Sequence, residues 1–159
     1  IVGYTNAGKS SLFNLLTHQD VQADDQLFVT LDAKTRLMRT ETFGKVTLTD
    51  TVGFIDDLPG SLLEAFASTL EEIKQADLLV HVVDAFDVDN RRKIQVVNSM
   101  LKNLDADGLP TFMVYNKMDL LTSNLALTQN EFAVSVRDGT NIPELITSML
   151  AAARDHLQK

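Results

Sequence analysis

Apolar residues recur along this chain in two alternating rhythms: one falls every three or four residues, the other in short continuous or every-second-residue runs. Ser11-Leu12-Phe13-Asn14-Leu15-Leu16 has helical spacing, and Thr17-His18-Gln19-Asp20 ends it. The segment from about Val21 to Lys34 is polar and irregular, and its length predicts a functional loop rather than a simple connector. Arg36 to Glu41 and Lys45 to Asp50 alternate on either side of a Phe43-Gly44 turn and read as an antiparallel hairpin. After the break at Leu58-Pro59-Gly60, Leu62, Leu63, Phe66, Leu70 and Ile73 predict an amphipathic helix from Ser61 to about Gln75. Leu78 to Val83 and Thr111 to Tyr115 are apolar runs of the kind buried on both faces of a parallel sheet. Between them Ile94, Val97, Leu101 and Leu104 mark a further helix; Phe132 to Val134 reads as a last strand and Ile142 to Leu157 as a final helix. Strands alternating with helices predict an α/β fold, a sheet layered by helices on both faces with its ligand at the carboxyl ends of the strands. No repeat, low-complexity tract or linker breaks the pattern, so residues 1–159 read as one domain.

Composition narrows the partners. With 14 basic and 22 acidic side chains the net charge is −8, which disfavours nonspecific nucleic-acid binding. The absence of cysteine removes disulfides and thiolate chemistry and suits a reducing compartment. The most apolar run, Leu78 to Val83, is interrupted by His81 and is far short of the roughly 20 residues that span a bilayer, so a soluble domain without membrane contact is expected; a cytoplasmic location and a monomeric state are expected as well. Ile1 and Val2 run straight into a glycine-rich turn, which reads as a strand cut short and predicts a larger parent protein upstream.

Four segments carry chemistry. Gly3-Tyr4-Thr5-Asn6-Ala7-Gly8-Lys9-Ser10 fits G-x-x-x-x-G-K-[ST] between an apparent strand and a helix. There the glycines let the backbone N–H groups wrap phosphates, Lys9 neutralises the β- and γ-phosphates, and the Ser10 hydroxyl can ligate magnesium. Asp50-Thr51-Val52-Gly53 has the form D-x-x-G: the carboxylate can hold the magnesium shell and the Gly53 N–H can approach a γ-phosphate. Asn116-Lys117-Met118-Asp119 has the form N-K-x-D, and an ionised, acceptor-only Asp119 matches the two donors on guanine's N1 and N2 edge, which adenine lacks. Lys117 can lay its stem over the base and Asn116 can tie neighbouring loops. Ser135-Val136-Arg137 follows the last strand and can offer a backbone N–H to guanine O6.

The ordered set GYTNAGKS, DTVG, NKMD and SVR resembles the G-domain of small GTPases over essentially the whole chain. Phe28-Val29-Thr30-Leu31-Asp32 with Thr35-Arg36, then Asp50 to Ile55 and Leu58-Pro59, more narrowly resembles the HflX family of ribosome-associated GTPases, in the Obg–HflX group of P-loop GTPases. The resemblance implies a three-layer αβα fold with a six-stranded sheet containing one antiparallel strand. It also implies a switch I loop within about residues 20–35 that contributes Phe28 to Asp32 to the nucleotide site, and a switch II beginning at Asp50. The nucleotide-binding set then runs from Gly3 to Ser11 and includes the three later motifs. Lys9, Thr30 and Gly53 act in hydrolysis, and Ser10, Thr30 and Asp50 hold magnesium, with Thr35 as the competing threonine. In that family an N-terminal domain precedes the G-domain, and the protein engages the large ribosomal subunit.

Several residues qualify the mechanism. Phe54 follows Gly53 where many GTPases place a glutamine that orients water, and a phenyl ring has no hydrogen-bonding group, so slow intrinsic hydrolysis is expected. Asn6 resembles the asparagine through which some GTPases hold a potassium ion. Arg36 and Arg39 read as surface cations rather than an arginine finger, Arg91-Arg92-Lys93 as a solvated helix start, Asp56 and Asp57 as exposed loop charge, His81 as a packed core residue, and His18 and His156 as surface residues. Ser135-Val136 departs from the commoner Ser-Ala, adding bulk beside the guanine pocket. Two rival readings stay open: an ATP-using P-loop enzyme, and a module that holds nucleotide with negligible hydrolysis.

Overall fold

The computed structural model describes residues 1–17, 34–40, 44–54 and 67–157. The elements are β1 (Val2–Gly3), α1 (Lys9–Leu16), β2 (Lys34–Thr40), β3 (Gly44–Asp50), α2 (Ala67–Lys74), β4 (Leu79–Asp84), α3 (Asn90–Asn103), β5 (Thr111–Asn116), a 3₁₀ turn (Met118–Leu120), β6 (Glu131–Ala133) and α4 (Ile142–Leu157). The hairpin and final helix fall where the hydrophobic pattern puts them. Helix α1 begins two residues before its apolar periodicity, because Gly8 adopts a left-handed conformation (φ 98°) and hands the chain to the helix at Lys9. The expected switch I loop, His18, Asp56, Asp57 and the first part of the 61–75 helix lie outside the described residues.

Strands β1, β4, β5 and β6 form a parallel sheet in the order β1-β4-β5-β6, while β2 and β3 pair antiparallel from Lys34 opposite Asp50 to Thr40 opposite Gly44. The chain leaving β3 joins the two. Thr51 N donates to Ile1 O at 3.3 Å, Phe54 N to Gly3 O at 3.0 Å, and Tyr4 bridges Phe54 in parallel. The backbone therefore continues as six strands with β2 the antiparallel one.

Strand alternation sorts side chains onto two faces. Val80 and Val82 of β4, Phe112 and Val114 of β5 and Ile1 pack with Leu12, Phe13 and Leu16 of α1 and Leu145 and Met149 of α4. On the opposite face Val2 and Leu79 pack with Leu70 and Ile73 of α2 and Val97 and Leu101 of α3. This is a three-layer αβα arrangement. Strand β4 is buried on both faces, as its continuous apolar run predicts, but β5 is not: Thr111, Met113 and Tyr115 are only half-buried. The reason is that α3 packs over β1 and β4 and leaves that face of β5 partly open.

The Phe54 ring is fully buried in the second core, with Val52, Leu70, Ile73 and Val97. Its main chain meanwhile accepts from Thr5 N at 2.8 Å and donates to Gly3 O. One residue thus anchors α2 and α3 from its side chain and the start of the glycine loop from its backbone. Phe54→Ala should cost about 3–5 kcal/mol in urea unfolding. Leu37→Ala, at a half-exposed position on β2, should cost under about 0.5 kcal/mol in the same measurement.

Candidate functional site

The loop from Gly3 to Ser10 leaves β1 at the carboxyl end of the sheet and enters α1, so the first N–H groups of the helix face the same space as the loop. Its shape depends on absent side chains. A Cβ on Gly3 would lie 2.4 Å from Val82 O, and one on Gly8 would lie 2.3 Å from Asn116 Nδ2. Gly53 is equally confined, since a Cβ there would lie 2.8 Å from Thr5 Cα and 3.1 Å from Lys9 Nζ, so the D-x-x-G glycine stands against the loop itself. Lys9 is 6% exposed and donates to Tyr4 O at 3.1 Å. Burial pushes its ammonium down to about 8 from the ordinary 10.5, while neighbouring Asp50 pulls it up. A buried cation of this kind calls for an anion.

Ser10 Oγ donates to Asp50 Oδ2 at 2.8 Å across 40 residues of chain, and Asp50 is 1% exposed. A hydroxyl and a carboxylate side by side next to a phosphate loop are hard oxygen donors that suit magnesium. Thr35, the competing threonine, sits in β2, with its hydroxyl 2.9 Å from that of Thr49 and bonded to Glu72. Thr30, with Phe28, Val29, Leu31 and Asp32, lies outside the described residues.

The N-K-x-D segment ends β5 and turns into the 3₁₀ helix, with Lys117 left-handed at φ 66°. Asn116 donates through Nδ2 to Ala7 O at 3.2 Å and accepts at Oδ1 from Val136 N at 3.1 Å, tying three loops together. Lys117 Nζ donates to Asp84 Oδ2 at 2.7 Å and to Asn6 O at 3.4 Å. Asp119 accepts from Ser135 Oγ at 2.8 Å, while Arg137 lies 3.9 Å from its other oxygen. The Val136 N–H that sequence offers to guanine O6 is held by Asn116, so an incoming carbonyl must share or displace that bond. Met118 N donates to Val134 O, fixing the turn that carries Asp119. The described parts of all four motifs converge on one end of the sheet.

Residues 1–117 match the family model described as 50S ribosome-binding GTPase. The chain is 44% identical to the GTPase HflX of Escherichia coli K12, over 94% of this chain and 37% of that protein. It is 46% identical to the GTPase HflX of Caldanaerobacter subterraneus subsp. tengcongensis, over 94% and 35%. Among solved structures it resembles a GTP-binding protein from the archaeon Sulfolobus solfataricus in complex with GDP, at TM-score 0.76 and 27% identity, covering 97% of this chain and 51% of that one. The chain belongs to the HflX family of GTPases. It spans a little over a third of the length of the curated relatives named here.

This HflX domain holds residues at the site that its motifs do not reveal. Asp84 closes β4 and anchors Lys117; the signal available was an acidic residue at the carboxyl end of a central strand. The Ser135 hydroxyl orients Asp119, where sequence offered only a backbone donor. Arg91-Arg92-Lys93 is not simply a solvated helix start. Lys93 Nζ lies 5.0 Å and the Arg92 guanidinium 5.9 Å from the centre of the Tyr4 ring, and they pair with Asp87 and Asp89. Arg36 and Arg91 are exposed, and His81 is buried; the side chains of Arg39 and His156 lie outside the described residues.

A phosphate seated in the loop would restore the full charge of Lys9. Binding of a nucleoside diphosphate near pH 8.5 should therefore take up protons, and the uptake should fade below about pH 7, where Lys9 is charged in both states. Calorimetric titration in buffers of different ionisation enthalpy measures this, and Lys9→Met should abolish it.

Proposed function

We propose that this domain binds GTP with magnesium, hydrolyses it to GDP and phosphate by in-line attack of water, and serves as a conformational switch for a larger protein on the large ribosomal subunit. The observation that carries the reading is the convergence of a buried lysine, a Ser10–Asp50 oxygen pair and an oriented Asp119 at one end of the sheet. Gly3 to Ser11 cradle the phosphates and Lys9 neutralises developing charge on the transferred group. Ser10, Asp50 and Thr30 are the residues that would hold magnesium, which when bound screens the phosphate charge.

Asp119, with Lys117, Met118 and Asn116, selects guanine, and Ser135, Val136 and Arg137 close the far side of the base. Phe28 to Asp32 cover the nucleotide from the switch I side. Asp50, Thr51, Val52 and Gly53 form the start of switch II, where the Gly53 N–H meets the γ-phosphate and is released after hydrolysis. Because the Phe54 ring is committed to the core, nothing at that position orients the attacking water. Intrinsic hydrolysis is slow and the ribosomal partner accelerates it. Asn6, exposed and left-handed at φ 64° on the loop, offers a side-chain carbonyl to potassium as a further aid. The domain works as a monomer in the cytoplasm. Among the described residues no helix is long and apolar enough to cross a membrane.

Asp119→Ala should weaken guanine nucleotides by about 10²-fold or more while leaving the feeble binding of adenine nucleotides unchanged, as measured by competition titration. Equal loss for both bases would favour an ATP-using enzyme. In single-turnover phosphate release, saturating large ribosomal subunits should raise the rate by at least about tenfold, and potassium should exceed sodium. A rate untouched by subunits would favour a module that merely holds nucleotide.

A further inference from the structure

Between the glycine loop and the start of α3 lies a small cavity of about 70 Å³. Loop residues 4–7 roof it, β4 from His81 to Asp84 forms one wall, and Asp87, Asn90 and Lys93 at the start of α3 form another. His81 stands on the central strand between Val2 of β1 and Met113 of β5, on the same face as Leu79. It is 1% exposed, and its Nδ1 has no hydrogen-bond partner among the described residues.

A phenylalanine or leucine would fill this core position without leaving a polar atom unmatched. Burial pushes the imidazole down to about 4, with nearby Lys9 acting in the same direction, so the ring is neutral and carries one donor and one acceptor. A buried nitrogen of that kind is costly unless something bonds it. His81 lines a cavity that exceeds the space one water requires, and Thr5, Asn6, Asp84, Asp87, Asn90 and Lys93 supply polar groups around it, the conditions under which water is ordered. The loop above has its own need of support. Asn6 is left-handed at φ 64°, a conformation that is costly for a non-glycine residue and persists where its surroundings fix it. Lys9, Asn116, Lys117 and Phe54 fix it on the sides facing the motifs; toward α3, Arg92 and Lys93 hold the Tyr4 ring, and beneath residues 5–7 the packing gives way to the cavity.

We propose that this cavity is an internal water site and that His81 is a positioning residue acting through it. Water bonded to Nδ1 carries hydrogen bonding from the central strand to the underside of Tyr4–Ala7 and holds the phosphate-binding N–H groups in register. Only the functional half of this inference rests on the reading of the domain as a GTP-binding switch. The other half concerns the free chain.

Two variants separate polarity from packing. His81→Phe keeps a ring of similar volume and removes both nitrogens; His81→Gln keeps donor and acceptor. A crystal structure of the wild-type chain should show water within hydrogen-bond distance of His81 Nδ1. His81→Phe should raise the Kd for GDP about tenfold, and His81→Gln by less than about threefold. A dry cavity in the wild type, or a His81→Phe variant that binds GDP as tightly as the wild type, overturns the proposal. If His81→Phe does not fold, the wild-type electron density decides. If the wild type itself fails to bind GDP, the proposed function falls, and that same density still decides the water site.

Discussion

One amide side chain holds the two halves of the site together. Asn116 reaches back 109 residues to Ala7 O with its nitrogen and forward to Val136 N with its oxygen, so the glycine loop and the loop after β6 share a buried strut. That strut exists only because position 8 has no Cβ; any other residue would place an atom 2.3 Å from the amide nitrogen. A hydrogen bond of this kind contributes only about 1 kcal/mol to stability. Its value is geometric, since a ligand held at both ends needs those ends at a fixed separation. Lys117 adds a second link in the same place, from Asn6 O to Asp84, and Ser135 a third by holding Asp119.

Around this strut the electrostatics run against the whole molecule. The chain carries a net charge of −8, yet its glycine loop presents a buried lysine, a helix N-terminus and, stacked on Tyr4, two further cations from α3. Those two are tied to Asp87 and Asp89, so they grip the ring and add little net field. Lys9 is the exception, its charge set against burial and offset by Asp50 alone of its named neighbours. Lys9 is thus a strongly desolvated cation held where an anionic ligand compensates it.

Local pattern revealed those parts of the fold and site that depend on neighbours in sequence. Buried strands announced themselves as apolar runs, α4 by its periodicity, and the glycine loop by the residues any phosphate cradle needs. Strand β5 was legible as a strand but not as half-covered, because that depends on where α3 lies across the sheet. Phe54 was legible only as a missing glutamine. Its second role, tying two helices to the loop, needs Phe54 to meet Leu70 and Ile73 on one helix, Val97 on another, and Gly3 and Thr5 in the loop. The same holds for Tyr4 beneath Arg92 and Lys93, for Asp84 on Lys117, and for Thr35, whose hydroxyl is engaged by the hairpin partner Thr49. Long-range side-chain contacts leave no periodic trace in a single sequence.

The central claim is that this one end of the sheet recognises both the phosphates and the base of a guanine nucleotide. A crystal structure of the chain grown with GDP and magnesium tests it most directly. The diphosphate should lie against the N–H groups of residues 5–10 with Lys9 beside it, and guanine N1 and N2 should sit within hydrogen-bond distance of Asp119. A diphosphate in the loop with its base turned away from Asp119, or a loop that takes up no nucleotide at saturating concentration, would contradict it.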